Sequence, residues 1–209
     1  MSDERRSGDT ARARRATAPG GVRSLDRNRP APPRELVQLA AFTVGGEAYA
    51  LDIMRIKEII NPLPITRVPK SPPFIEGVIE LRGAILPIVD MRKRFDQPTT
   101  AADRATKYLI VAIEGVGGDR WIVGLVVDKV LEVIRIPKDD VRPAPAIALD
   151  ETARYFSGVC RHRDRIVMVI DLDAILSSSE RITLAGLSQD PRLAAAAGLP
   201  ADKTAPGKS

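Results

Sequence analysis

The chain carries one seventeen-residue pattern twice, and the second copy begins 81 residues after the first. The copies read IEGVIELRGAILPIVDM from Ile75 and FSGVCRHRDRIVMVIDL from Phe156. Aligned without gaps, they share five residues: Gly77 with Gly158, Val78 with Val159, Arg82 with Arg163, Ile85 with Ile166 and Asp90 with Asp171. Each copy has two apolar runs around a polar turn, which predicts a β-hairpin. A repeated hairpin predicts a fold built from two related small β units.

Three further strand-like runs precede each hairpin in the same order. They lie at residues 38–44, 47–51 and 53–60 in the first unit, and at residues 108–113, 121–127 and 128–136 in the second. A proline-rich connection follows the third run in both units. About five short strands are enough to close a small barrel. We therefore predict an all-β chain with units at residues 36–98 and 104–176, and a helix at residues 172–187.

Composition limits what else the chain can be. Only 4% of its residues are aromatic, so Val, Ile and Leu must build the core. β-Branched residues favour the half-buried surface of a sheet. The single cysteine excludes an intrachain disulfide. Because no apolar run approaches the ~20 residues of a membrane helix, we expect a cytoplasmic protein that does not insert into the bilayer.

The formal charge of +5 belongs to one end of the chain. Residues 1–34 hold nine arginines against four acidic residues, which already gives +5 and leaves the remainder neutral. This segment has few large aliphatic residues, and we predict a disordered tail. One domain is expected over residues 35–178, with a helix end and flexible tail over residues 179–209. A neutral domain with few aromatic residues argues against a nucleic-acid-binding barrel, but the basic arm keeps that alternative open.

No constellation of residues in the sequence indicates catalysis. Cys160 and His162 would share one face of a strand, but no orienting group accompanies them, and two such residues cannot form a structural zinc site. The glycine-rich residues 115–118 lead into a strand, whereas a phosphate-binding loop leads into a helix. Asp90 and Asp171 end their apolar runs alike, and we predict that each caps the turn that follows. We expect no enzymatic activity, no cofactor and no metal.

Two charged residues are prominent because they lie among apolar ones. Glu58 is in the run IMRIKEII, and Arg82 is in the turn of the first hairpin. They could be ordinary solvated charges, or they could form an ion pair on a binding face. A surface pair stabilises a fold by only ~0–1 kcal/mol, so a pair here would orient a contact surface rather than hold the fold. The first hairpin turns at Leu-Arg-Gly and the second at His-Arg-Asp, so the two copies diverge at the turn.

The chain resembles the CheW family, the coupling proteins of bacterial chemotaxis. The resemblance rests on FTVGGEAYALDIMRIKEI from Phe42, FIEGVIELRGAILPIVDMRKRF from Phe74, IVGLVVDKVLEV from Ile122 and VRPAP from Val141. It implies two SH3-like five-stranded β-barrels without catalytic activity. It also implies binding to the regulatory domain of the histidine kinase CheA and to the cytoplasmic tip of methyl-accepting chemoreceptors. Such proteins assemble into rings with the kinase at membrane-associated receptor arrays.

The same resemblance implies which residues form the kinase and receptor interface: Ile56, Glu58, Ile59, Gly77, Arg82, Gly124 and Val133. Two features depart from the family pattern. Glu80 stands where relatives often have Asn, and the Arg-rich tail is longer than a minimal member needs. A fragment of CheA, or a coupling protein fused to a receiver domain, is disfavoured because either would need additional domains that do not fit in the remaining residues.

Overall fold

The computed structural model describes residues 34–114, 120–143, 151–177, 179–181 and 186. Within them, ten strands form two five-stranded sheets, which confirms the all-β prediction. The strands are β1 Leu36–Val44, β2 Glu47–Asp52, β3 Ile56–Ile60, β4 Ile75–Leu81, β5 Ala84–Asp90, β6 Lys107–Glu114, β7 Arg120–Val127, β8 Lys129–Pro137, β9 Phe156–His162 and β10 Arg165–Ile170. Helix α1 is Met91–Arg94, and 3-10 turns lie at Ile53–Arg55, Lys138–Asp140 and Glu151–Tyr155.

The two sheets do not follow the two sequence repeats. One sheet has the order β8-β1-β2-β10-β9, and we call it the terminal sheet because it takes strands from both ends of the domain. The other, the central sheet, has the order β3-β6-β7-β5-β4. The predicted units at residues 36–98 and 104–176 are therefore wrong, because each repeat gives its first two strands to the other repeat's sheet. A repeat identifies equivalent strands, but it does not tell which copies pair.

Each sheet curls until its edges are joined by one backbone bridge. The bridges link the segment after the first edge strand to the opposite edge strand: Thr66 to Val78 in the central sheet and Arg142 to Val159 in the terminal sheet. A Cβ atom on Gly77 would lie 2.3 Å from the Thr66 carbonyl oxygen, and one on Gly158 would lie 2.5 Å from that of Arg142. Only glycine permits this approach. Barrel closure therefore explains why both hairpin copies contain this residue.

The main core lies where the two sheets meet. It combines buried residues of the terminal sheet, such as Phe42 and Tyr49, with residues of the central sheet, such as Leu109 and Leu125. The Tyr49 ring stacks on Phe95 with centroids 4.9 Å apart. Smaller apolar clusters lie within each sheet on its own. Most of the aromatic residues thus lie at the junction, and mainly aliphatic residues, together with Tyr108 in the central sheet, fill the individual sheets.

The segment after β10 ties the two sheets together through partly buried ion pairs. Arg94 of α1 donates to both carboxylate oxygens of Glu180 at 2.9 and 3.0 Å. Its guanidinium also lies over the rings of Phe74 and Tyr155, with 4.2 and 4.6 Å to the ring centroids. In the 3-10 turn that connects β2 to β3, Arg55 donates two hydrogen bonds to Asp173. The Arg55 hydrogen bond lowers the pKa of Asp173, so this carboxylate stays ionised against its partner.

The helix predicted at residues 172–187 begins later than expected. Residues 172–176 form turns and bends, and the described helical residues are 179–181 and 186. Ser177 and Glu180 form a reciprocal cap, in which the Ser177 N–H donates to the Glu180 carboxylate and the Glu180 N–H donates to the Ser177 hydroxyl. This S-x-x-E signature is visible in the sequence and places the helix start correctly. The apolar spacing does not mark a helix here, because Leu172 and Leu176 enter the main core from turns and bends.

Some expectations concern residues that lie outside the described ranges. These are the tail for which disorder is predicted, apart from Arg34, the glycine-rich residues 115–118 and most of the end for which flexibility is predicted. Among the described residues, no helix combines the length and apolar character that crossing a bilayer requires.

Candidate protein-docking faces

The structure brings Glu58 and Arg82 together on the surface of the central sheet. An Arg82 guanidinium nitrogen lies 2.8 Å from a Glu58 carboxylate oxygen, with the Arg82 side chain 77% exposed and that of Glu58 25% exposed. The pairing of β3 with β6 shifts register between Ile56 and Glu58. Such a register shift is a β-bulge, which changes the direction of nearby side chains. This bulge lies directly before Glu58 on β3, the strand from which Glu58 reaches Arg82 of the hairpin turn.

The hairpin turn holds Arg82 in an uncommon conformation. Arg82 and Gly83 have φ values of 54° and 82°, as the two central residues of a type I′ turn require. Glu80 accepts a hydrogen bond from the Gly83 N–H. This residue, which departs from the family pattern, therefore caps the turn and leaves Arg82 to pair with Glu58. The turn is pre-formed, so little conformational freedom of the backbone remains to be lost on binding.

An exposed aliphatic side chain lies on the same strand as this ion pair. Ile59 is 45% exposed, whereas Ile56 is half-buried and packs against the main core. We call the surface formed by Lys57, Glu58, Ile59 and Arg82 the central face. Glu58 and Ile59 pair with Ile110 and Leu109, so their side chains point to opposite sides of β3, which is an edge strand of the central sheet. A partner docked at this edge has access to both the oriented ion pair and the exposed isoleucine.

The terminal sheet has an equivalent surface, of which the family resemblance named only Val133. Arg163 lies 3.0 Å from Glu132, and the pairing of β8 with β1 shows a comparable register shift. Arg163, like Arg82, has a positive φ, of 45°. Two exposed aliphatic residues, Leu131 and Val133, flank Glu132 on β8. We call this surface the terminal face. The offsets of the repeat could have revealed it, since Glu132 follows Glu58 by 74 residues and Arg163 follows Arg82 by 81.

The seven residues named from the family resemblance do not form one site. Glu58, Ile59 and Arg82 lie on the central face, and Val133 lies on the terminal face 47% exposed. Gly77 and Gly124 are buried. A Cβ atom on Gly124 would lie 2.4 Å from the Ile88 side chain, at the parallel pairing of β5 with β7. The two glycines therefore serve strand packing.

The structure assigns capping roles to the two aspartates that end the hairpins, as predicted. Asp90 accepts hydrogen bonds from the N–H groups of Arg92 and Lys93, and Asp171 accepts them from those of Asp173 and Ala174. Burial raises the pKa of Asp90, but these hydrogen bonds favour its ionised form. Both carboxylates are engaged in equivalent local structure.

The candidate nucleophile has an unsuitable environment. Cys160 is buried, and burial raises the pKa of its thiol, which disfavours the reactive thiolate. The Nε2 atom of His162 lies 3.4 Å from a Glu132 carboxylate oxygen. Within the described residues, no group of three or more His, Cys, Asp or Glu side chains is placed to hold a metal ion.

Comparison with known proteins agrees with this arrangement. Residues 38–180 match the family described as the CheW-like domain. The chain is a member of the CheW family. It is 36% identical to the chemotaxis protein CheW of Klebsiella aerogenes over 139 residues, which cover 66% of this chain and 81% of the relative. It is 34% identical to CheW of Rhizobium meliloti over 144 residues, covering 69% of this chain and 90% of the relative.

A solved CheW structure supports the same conclusion about the fold. The scaffolding protein TtCheW from Thermoanaerobacter tengcongensis is 32% identical, with a TM-score of 0.61. The match covers 71% of this chain and 91% of TtCheW. The two-sheet architecture is thus that of a CheW protein, and the chain belongs to a family of chemotaxis scaffold proteins.

Proposed function

We propose that this chain is a non-catalytic adaptor that couples methyl-accepting chemoreceptors to a CheA-type histidine kinase. Its partners are the kinase regulatory domain and the cytoplasmic receptor tip, and it assembles with the kinase into rings. The proposed location is the cytoplasm, at membrane-associated receptor arrays. Membership of a chemotaxis scaffold family supports the pathway, and the surface chemistry of the two sheets supports a role in protein contact.

The central face carries the proposal. Its ion pair is largely solvated on the Arg82 side, so it contributes little to folding, about 0–1 kcal/mol. Yet the hairpin turn, the bulge in β3 and the Glu80 cap all fix its geometry. A surface feature that is held firmly but stabilises weakly is best explained by a partner that requires it. Ile59 supplies the apolar area for that contact.

A co-purification experiment tests this assignment. The kinase regulatory domain and a receptor tip fragment are each incubated with the wild-type chain, Arg82→Ala and the control Lys138→Ala. Lys138 forms another exposed ion pair, with Glu35 at 3.2 Å, away from the central face. We expect Arg82→Ala to lose at least one partner while unfolding at the same urea concentration as the wild type, and Lys138→Ala to keep both. Retention of both partners by Arg82→Ala would show that the central face is not the contact surface.

A further inference from the structure

The terminal face repeats the central ion pair with one chemical difference. Both faces place a Glu of a bulged strand against an Arg at a hairpin turn. The residue before that Arg is Leu81 in the central face and His162 in the terminal face. His162 is the only histidine in the chain. Only the terminal face therefore carries an imidazole, a group that gains a positive charge when it binds a proton.

The His162 side chain is held against the ion pair. Its Nε2 atom is shielded from solvent and has no hydrogen-bond partner. This nitrogen lies 3.4 Å from one carboxylate oxygen of Glu132, and the other oxygen lies 3.0 Å from Arg163. A proton on Nε2 would thus face a carboxylate oxygen at close to hydrogen-bonding distance. Protonation of His162 gives Glu132 a second cationic partner and holds the side chains of His162, Glu132 and Arg163 together. We call these three residues the imidazole cluster.

The imidazole cluster borders a groove of about 370 Å³ in the terminal sheet. Apolar residues form its floor, including Ala41 of β1, Ala48 of β2 and Val167 of β10. The charged residues that line the groove with the imidazole are Glu132 of β8 and Arg163 and Arg165 of the imidazole's own hairpin. Arg161 and Asp164 pair with each other at 3.0 Å. The titratable and charged residues that line the groove carry a net charge of +1 with His162 neutral and +2 with it protonated.

We propose that this groove docks an acidic, aliphatic-bearing segment of a partner protein and that protonation of His162 tightens the binding. The inference rests on the proposed adaptor function and adds pH regulation to its second face. Charge complementarity selects the occupant, because a positive rim around an apolar floor favours carboxylates beside an aliphatic side chain. One added surface charge changes binding modestly, so we expect about three- to fivefold tighter binding at pH 6.0 than at pH 8.0.

The binding test compares pH dependence rather than affinity at one pH. The dissociation constant of the kinase regulatory domain is measured at pH 6.0 and pH 8.0 for the wild type and His162→Leu, which installs the residue of the first repeat. We expect the ratio of the two constants to fall from about three or more in the wild type to about one in the variant. An equal ratio in both proteins would overturn the inference, because the pH dependence would then arise elsewhere.

A partner-independent measurement separates this inference from the proposed function. Since the chain has one histidine, its imidazole signals in an NMR titration are unambiguous. We expect the guanidinium signal of Arg163 to move together with the imidazole signals between pH 5 and pH 8, and to stop following them in Glu132→Gln. No movement of Arg163 in the wild type would refute the proton-sensitive cluster. Failure of the kinase domain to bind at either pH would overturn the adaptor proposal and the docking part, and the titration would still decide whether the cluster responds to protons.

Discussion

Replacing Glu180 by Gln tests how the C-terminal segment stabilises the junction of the sheets. The Arg94 side chain is only 6% exposed and meets Glu180 through two hydrogen bonds. Removing one partner of a buried pair leaves an uncompensated charge and costs about 3–5 kcal/mol. Glu180 is itself partly exposed, and Gln keeps one acceptor for the guanidinium. We therefore expect a loss near the lower limit, about 3 kcal/mol.

The assay is urea unfolding followed through the fluorescence of Trp121, the only tryptophan. For a slope of about 2–3 kcal/mol/M, the unfolding midpoint should fall by about 1–1.5 M. Glu35→Gln is the matched control, because it makes the same chemical change in the exposed pair with Lys138, where both side chains are more than half exposed. That variant should lose less than about 1 kcal/mol. Equal losses in the two variants would refute the view that burial of Arg94 makes its partner important.

A double variant separates charge from packing. In an Arg94→Met background, the guanidinium that needs a counterion is gone, so Glu180→Gln should cost less than about 1 kcal/mol. The same substitution costing about 3 kcal/mol in both backgrounds would show that Glu180 acts through its reciprocal cap with Ser177 rather than through the ion pair.

Two further predictions concern the fold. Because the Arg55 hydrogen bond lowers the pKa of Asp173 in the folded state, its contribution to stability is present above the ordinary value of 3.8 and is lost as the pH falls through the folded value. Urea unfolding of Asp173→Asn should therefore change less than that of the wild type between pH 5 and pH 3, and parallel curves would contradict this assignment. Gly77→Ala should cost at least about 1 kcal/mol more than Gly124→Ala in the same assay, because a Cβ atom at residue 77 meets a backbone oxygen whereas one at residue 124 meets the flexible end of Ile88. Equal losses would show that the backbone at residue 77 can yield.

The sequence predicted what depends on local chemistry. Alternating apolar residues located the strands, and the polar turns located both hairpins. Asp90 and Asp171 were predicted as caps because each follows an apolar run directly. The sequence leaves the pairing of Glu58 with Arg82 as one of two interpretations, and the structure shows the contact.

The features that the sequence could not supply all depend on long-range arrangement. The exchange of strands between repeats leaves no local signal, because equivalent strands have nearly equivalent patterns and either copy could pair. The tie between Arg94 and Glu180 joins residues 86 positions apart. In the sequence, Arg94 is one of several basic residues after the first hairpin. Only the packing of Phe74 and Tyr155 around its guanidinium distinguishes it from the others.

The exchange of strands between the two repeats also changes how the sequence difference between the two hairpin turns is interpreted. Each face is built within one repeat, since β3 and the β4–β5 hairpin form the central face while β8 and the β9–β10 hairpin form the terminal face. The two strands that complete each sheet come from the other repeat. A fragment ending at residue 98 would therefore contain three strands of the central sheet and two of the terminal sheet, and neither would be complete. The faces are free to diverge in side chains, as Leu81 and His162 have, but they share one fold and cannot be separated by cutting the chain between the repeats.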